Sequence, residues 1–443
     1  MDTYQKALSI NLEAAIFGSF AEIGAGQEVA RWFLRVGGAS GTVAKTISAY
    51  DKEVSDDLYG AGTRYVSEQR LQTMLKNEWD QLLSQLEASR GATTCFFSFV
   101  DTVSARNYAG TNECHGWVGL RFQRQPGGAA SDVILHINLR DPSNVLQQEA
   151  VGILGVNLLY AAHHHLQTAE EFLASVFEEL SLQRIEIDLV ELNGPAFEGW
   201  HRNKVHASLV SGGYAEAVVF PADGKLMAPT ELLYKKAVVL APGIFENVEE
   251  VHGELIRDTL ADLPADETSE SKGSVGLFCI PFAPLEANQP RLTVEQVTER
   301  VEQLRRLGSG VLVFRENELY RMSAYVNRFT KLRIHFAIGL SLLARALQDG
   351  YKDLAGSLLE AISKLFTQNV RVIAFPVPTK ILEDWSRTSS ASGWKWKETS
   401  GMVYADDLHP AEPVNHLYRY LLGSKFIQPV GHAPRNANSA SSL

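Results

Sequence analysis

An α/β fold with a largely parallel sheet is predicted by two features of the sequence. From Lys235 onward, short strands that are apolar throughout alternate with amphipathic helical stretches. Strands of that kind lie in a parallel sheet covered on both faces, because each crossover lays a helix on the sheet. Ahead of them, aromatic and β-branched runs such as CFFSFV and DVILHINL have the texture of further strands.

Residues 1–90 read as a helical, polar-amphipathic N-terminal segment interrupted by the glycine-dense stretch Gly37–Thr46. Residues 91–234 read as an α+β domain: CFFSFV, WVGLRF and DVILHINL as strands, QQEAVGILGVNLLYAAHHHL as a helix, then IEIDLVEL and AEAVVF as strands. Residues 235–425 read as an open, doubly wound, Rossmann-like domain. Its strands are AVVLAPGIF, SVGLFCIPF, SGVLVF, RIHFAIGL and NVRVIAFPVP. Right-handed crossovers give such a sheet its double winding, and ligands bind beyond the carboxyl ends of its strands at the switch point. The segment from Lys380 to Pro413 reads as surface loop, and 426–443 as a disordered tail.

Composition narrows the functional classes. The 443 residues carry 41 basic and 52 acidic side chains, a net charge of −11. That balance offers nothing to nucleic acid or an anionic membrane surface. Cys95, Cys114 and Cys279 are far apart and form no CxxC pair, so a disulfide framework is not expected and a reducing, cytoplasmic setting is. No apolar run reaches the roughly 20 residues a membrane span needs, and the first residues lack the pattern of a signal peptide.

Five local patterns bear on chemistry. Gly37, Gly38 and Gly41 followed by Lys45 and Thr46 suggest a phosphate cradle, but the P-loop needs its Lys directly after the last glycine. The segment is read as a helix connection, with anion binding through Gly38, Gly41 and Lys45 as an alternative. The GxG of EIGAGQEVARWF lacks the third glycine of a dinucleotide fingerprint, and the residues before it read as helical. Gly24 and Gly26 are therefore read as packing positions. His163, His164 and His165 point in different directions on a helix and cannot share a metal, so no metal site is expected. Cys114–His115 offers a thiol beside an imidazole in a glycine-bounded loop, but adjacent residues rarely achieve nucleophile–base geometry. In LYRMSAYVNRFTK, Arg321, Tyr325 and Arg328 share a helical face; with Lys331 they read as a solvated basic face or, alternatively, as a site that suits a phosphate or a carboxylate.

The strongest local signal is VVLAPGIFENVEEVHGELI, a strand, a glycine turn and a helix. Nucleotidylyltransferases of the HxGH superfamily carry GxFxPxHxGH at such a junction, where the helix N-terminus and two histidines stabilise the transferring phosphate. Gly243, Phe245 and His252 stand at matching offsets; Asn247, Glu249 and Val251 depart from the pattern, and Glu249 replaces the first histidine with a carboxylate.

The segments FGSFAEIGAGQEVARWF, RVGGASGTVAKTISAYD and TNECHGWVGLRFQ, with GPAFEGW, ELLYKK and SGVLVFRENELYRMSAYVNRFTK, resemble an uncharacterised bacterial family known from cyanobacteria and Bacteroidetes, across roughly residues 10 to 425. Its members often carry automatic labels as nicotinamide- or nicotinate-mononucleotide adenylyltransferase, and occasionally as TonB-dependent receptor; nothing here suggests an outer-membrane barrel. The resemblance implies a nucleotidylyltransferase-type fold and nucleotide handling. In that reading ATP with Mg²⁺ and a mononucleotide meet near Gly243, His252 stabilises the transferred phosphate, and Arg328 with Lys331 neutralises the leaving pyrophosphate. The rival reading is a non-catalytic scaffold or assembly subunit, in which Phe17, Phe20, Trp32 and Phe33 pack on a partner or a second copy of the chain.

Overall fold

The computed structural model describes residues 1–431 apart from 63, 264–270, 285–289, 349, 352 and 389–392. Of the tail expected to be disordered, 426–443, residues 432–443 lie outside the described residues, but Ile427–Pro429 is an ordered edge strand of the second sheet, its backbone paired with β12, the strand Val370–Phe375. Contacts divide the chain into two compact units, Met1–Val218 and Val219–Leu443.

The first unit runs α1 (Thr3–Leu12), β1 (Ile16–Gly24), α2 (Val29–Val36), β2 (Val43–Ala49), α3 (Lys52–Tyr59), α4 (Glu68–Arg90), β3 (Cys95–Ser104), β4 (His115–Gln123), β5 (Ala130–Leu139), α5 (Asn144–His164), α6 (Ala169–Val176), β6 (Ile185–Asn193) and α7 (Arg202–Ser211). Its six strands form one sheet in the order β2-β1-β3-β4-β5-β6. β1 is parallel to both β2 and β3, whereas each neighbouring pair from β3 to β6 is antiparallel.

Residues 1–90 are therefore not a separate helical segment. They contribute β1 and β2 to the same sheet as the strands of 91–234. The misreading has a physical cause. β1 is buried along nearly its whole length, so the strand IFGSFAEIG shows no period-2 alternation, and its Gly, Ser, Ala and Glu are poor strand markers. Phe17, Phe20 and Phe33 are buried in this unit's own core, with the Phe20 ring 5.1 Å from Phe33 and 5.3 Å from Phe97, so they are not offered to a partner. The long helix α5 would cross a membrane by length and composition alone; 72 % of its apolar window is buried inside the protein, as befits a core helix.

Polar groups tie the helical layer to this sheet. The fully buried Lys6 of α1 donates to Asn157 Oδ1 of α5 at 2.7 Å and pairs with Glu178 at 2.7 Å. Glu22, 3 % exposed on β1, accepts the Val29 and Ala30 amides at 2.8 and 3.1 Å, satisfying two of the donors that a helix start leaves free. Its register partner on β3, Asp101, is fully buried with no side-chain hydrogen bond of normal geometry. Gly26 closes over it, and a Cβ there would stand 2.3 Å from Asp101 Oδ1. Burial lifts Glu22 to about 7 against the pull of the Val29 and Ala30 amides, with Glu28 adding to the rise, and burial beside Glu22 holds Asp101 well above the usual carboxylate range.

The second unit follows from β7 (Ala217–Phe220), at the junction, through α8 (Pro229–Leu233), β8 (Ala237–Pro242), α9 (Glu250–Ala261), β9 (Ser274–Pro281), α10 (Val294–Arg305), β10 (Gly310–Phe314), α11 (Leu319–Val326), β11 (Ile334–Gly339), α12 (Leu340–Ala346), α13 (Ser357–Leu365) and β12 (Val370–Phe375) to α14 (Thr379–Thr388), α15 (Val414–Gly423) and an edge strand, Ile427–Pro429. The sheet order is Ile427–Pro429, β12, β11, β8, β9, β10, β7. The pairs from the edge strand through β12, β11, β8, β9 and β10 are all parallel. The chain leaves β8 toward β9 and β10, then returns to the other side of β8 with β11 and β12. That reversal is the topology expected from the alternation after Lys235. The segment Lys380–Pro413 is more ordered than a surface loop: it contains most of α14 and part of two small antiparallel ladders, with Leu382, Val403 and Leu408 fully buried.

A raised carboxylate pKa is a statement about stability. Below the unfolded value near 4.5 the Glu22 contribution is fully present, and it is lost as pH rises through the folded value of about 7. The stability difference between wild type and Glu22→Gln, measured by urea denaturation, is expected to fall by something on the order of 3 kcal/mol from pH 4.5 to 7. A difference that stays flat over that window would show that Glu22 is not the titrating group.

Candidate functional site

The turn that carries the adenylyltransferase signal sits where an open sheet binds ligands. β8 ends at Pro242, and the strand order reverses between β8 and β11, so Gly243 lies at the carboxyl end of the central strand beside the switch point. Phe245 holds a left-handed conformation, φ 55°, and folds its ring back over the glycine, where a Gly243 Cβ would be 3.0 Å from it. The same ring packs edge-on against His252 and Phe278 at 5.3 and 5.4 Å. Phe245 is thus a packing residue of the turn.

His252 is engaged in starting the helix. It occupies the third helical position after the N-cap Glu249, and its Nδ1 accepts the Glu249 amide at 3.0 Å. Only 2 % of the residue is exposed. The reciprocal cap brings the Glu249 carboxylate to the helix N-terminus, where a transferred phosphate would have to sit.

Tyr325, Arg328 and Lys331 do not join this turn. Tyr325 is buried, its ring against Phe314 and Phe329. Arg328 stacks on Tyr325, 4.4 Å from the ring centre, and Lys331 Nζ donates to the Asn327 carbonyl. Lys331 precedes β11, whose first residue Ile334 pairs with Val238. Gly243 lies five residues beyond Val238, and at about 3.3 Å per residue the two ends of the sheet are about 17 Å apart. The cluster expected to neutralise pyrophosphate is at the amino end of the strands, opposite the glycine turn. The residues present therefore do not fit ATP with Mg²⁺ for adenylyl transfer. Among the described residues there is also no group of three His, Cys, Asp or Glu side chains able to hold a metal ion.

Sequence reasoning missed one basic residue at the turn. Arg300 of α10 donates Nη1–H to the Ile244 carbonyl at 2.9 Å and is half-buried. Burial lowers its pKa, while Glu246 and Glu299 favour its charge. The signal available in the sequence was only a basic position on an amphipathic helix. A depression of about 530 Å³ runs along the β11–β12 face of the sheet, lined by Arg333, His335, Arg371, Asp258, Asp262 and Phe375 among others. Burial, with Arg333 and Arg371 adding to it, pushes His335 down to about 4, so this surface is neutral at that imidazole above pH 5.

The glycine segment of the first unit is not a phosphate cradle. Gly38 and Gly41 pack on Asn11, whose amide donates to the Phe33 and Gly37 carbonyls at 2.8 and 2.7 Å. Lys45 is on β2 and faces α4, pairing with the buried Glu78 at 2.9 Å and donating to Gln81 at 2.8 Å. The GxG turn at Gly24–Gly26 does follow a strand and precede a helix, contrary to the helical reading of its context. Val29 stands where the third glycine belongs, however, and the Glu22 carboxylate occupies the start of α2. The three consecutive histidines diverge: His163 is half-buried, edge-on to Phe122, and pushed down to about 3, chiefly by burial, His164 pairs with Glu13 at 2.9 Å, and His165 ends α5.

No family model matches the chain, and no curated protein matches it. Solved structures overlay part of it. A competence/damage inducible protein CihA from Agrobacterium tumefaciens is 20 % identical over 36 % of this chain and 95 % of its own, with a TM-score of 0.27. The competence damage-inducible protein A (ComA) from Klebsiella pneumoniae is 12 % identical over 37 % of this chain and 94 % of its own, TM-score 0.26. A competence-damaged protein (CinA) superfamily protein from Escherichia coli is 16 % identical over 34 % and 82 %, TM-score 0.24. Scores this low carry no argument about function.

If His252 serves as a cap, His252→Ala lowers stability by about 1 kcal/mol, a fall of about 2–4 °C in Tm for a unit of this size. Differential scanning calorimetry reads this directly, and an unchanged Tm would free His252 for another role.

Proposed function

We propose that the second unit binds a small phosphate-bearing ligand of the nucleotide type at the Gly243–Phe245 turn and does not transfer an adenylyl group. One observation carries the reading: the half-buried Arg300 guanidinium is anchored to the turn at the switch point. Among the described residues, one of its five N–H donors is committed, to Ile244, and the planar fork that remains matches a phosphate. The resemblance of the sequence to a family labelled with mononucleotide chemistry supports the same ligand class. The His252–Glu249 cap argues against the transfer step, because it uses the imidazole and sets a carboxylate at the helix start.

Titration calorimetry with ATP, NAD and nicotinamide mononucleotide is expected to give heat with at least one of the three. Arg300→Gln should weaken that binding about 10- to 100-fold, the worth of a charged hydrogen bond. Lys331→Gln, at the far end of the sheet, should leave it unchanged. Absence of heat for all three ligands with folded protein would sink the reading and favour a scaffold that keeps the fold without its ligand.

A further inference from the structure

A chain of buried polar side chains crosses the sheet of the first unit independently of the Gly243 turn. Asp188 on β6 accepts from His136 on β5, Oδ1 to Nδ1 at 2.6 Å, and from Asn138 Nδ2 at 2.6 Å. His136 Nε2 meets His115 Nδ1 on β4 at 3.0 Å. Asp188 and His136 are fully buried and His115 is 9 % exposed, so the chain runs from the interior toward the surface.

Two features set this apart from an internal polar tie. The first is a bulge in β6. Leu189 pairs with His136 and Ile187 with Ile137, which leaves Asp188 as the extra residue between them. A bulge re-aims the side chain it carries, and here the carboxylate meets the imidazole. The second is the open end of the chain. His115 Nε2 makes no hydrogen bond among the described residues and is not among the enclosed polar atoms. The exposed Arg64, before α4, has a guanidinium without an ion pair among the described residues, and its charge is felt at His115.

The hydrogen bonds also fix the tautomers. An ionised Asp188 accepts from both partners, so His136 carries its proton on Nδ1 and presents the Nε2 lone pair. His115 must then donate from Nδ1, which leaves its Nε2 as a bare lone pair facing outward. Burial first, then His136 and Arg64, against the opposing pull of Asp188, lower the His115 pKa to about 4 and keep it neutral at pH 7.

We propose that His115 Nε2 is the base of a proton-transfer site in the first unit, that His136 and Asp188 position it, and that its substrate is a small molecule with an anionic group held by Arg64. In the step, an O–H bond of bound water or a substrate hydroxyl breaks as the Nε2–H bond forms, and the electron pair stays on oxygen. Asp188 stabilises the imidazolium through His136. The proton then passes to the leaving group or to solvent, restoring the neutral base. An anion beside Arg64 removes one of the charges that depress His115, so the base strengthens when substrate is bound.

The test uses the full chain with two esters, anionic mono(4-nitrophenyl) glutarate and neutral 4-nitrophenyl acetate. Wild type is expected to hydrolyse the anionic ester faster, His115→Gln to lose about 100-fold, and Arg64→Gln to lose the preference for the anion. For the positioning role the readout is the ¹⁵N spectrum: Asp188→Asn should move the His115 proton from Nδ1 to Nε2. Arg64→Gln should raise the His115 pKa in an NMR titration. Carbethoxylation by diethyl pyrocarbonate needs no variant and should modify His115 at pH 7. Wild-type ester hydrolysis in folded His115→Gln, or an unmodified His115 when the exposed His416 has reacted, would overturn the proposal.

Discussion

The carboxylate of Glu22 is where the sheet of the first unit and its helical layer are joined. β1 is buried on both faces, and a polar side chain there is tolerated only if its hydrogen bonds are met. Glu22 meets them with the first free amides of α2, which sets where that helix begins. The helix start in turn shapes the Gly24–Gly26 turn and brings Gly26 down on Asp101. One interaction therefore orders the helix, the turn and a second buried acid at the crossing point of the sheet. It also occupies the amides at the start of α2, the donors an anion would otherwise use.

The same economy of helix starts governs the second unit. At α9 the N-terminus is capped by the chain itself through Glu249 and His252, so the strand–turn–helix unit persists without the phosphate-facing imidazole that defines the transferase motif. The basic group at the turn lies on a different element. Arg300 reaches Ile244 from α10, a contact that joins positions 56 apart in the sequence.

The polar chain Asp188–His136–His115 depends on strand register more than on local sequence. Its members come from three strands, separated by up to 73 positions between His115 and Asp188. A one-residue change of register would turn every side chain of a strand to the other face. The bulge at Asp188 is what reconciles a core-facing alternation on β6 with a carboxylate aimed at His136.

The sequence by itself determined the α/β class and the parallel sheet after Lys235, because strands covered on both faces must be apolar throughout and helices covering one face must be amphipathic. It also placed Gly243 at a strand end. It did not reveal β1, whose burial erases the alternation that marks a strand, or β2, which alternates but carries Lys45 among its inward positions, and it weighed His115 only against its chain neighbour Cys114. Tertiary structure decided the rest. It gave His115 to His136, His252 to its own helix and Lys45 to Glu78, and it sent Lys331 to the opposite end of the sheet from Gly243. Composition and periodicity report which face of an element is buried; which polar atoms meet across strands is set by register and topology, and these are properties of the folded chain.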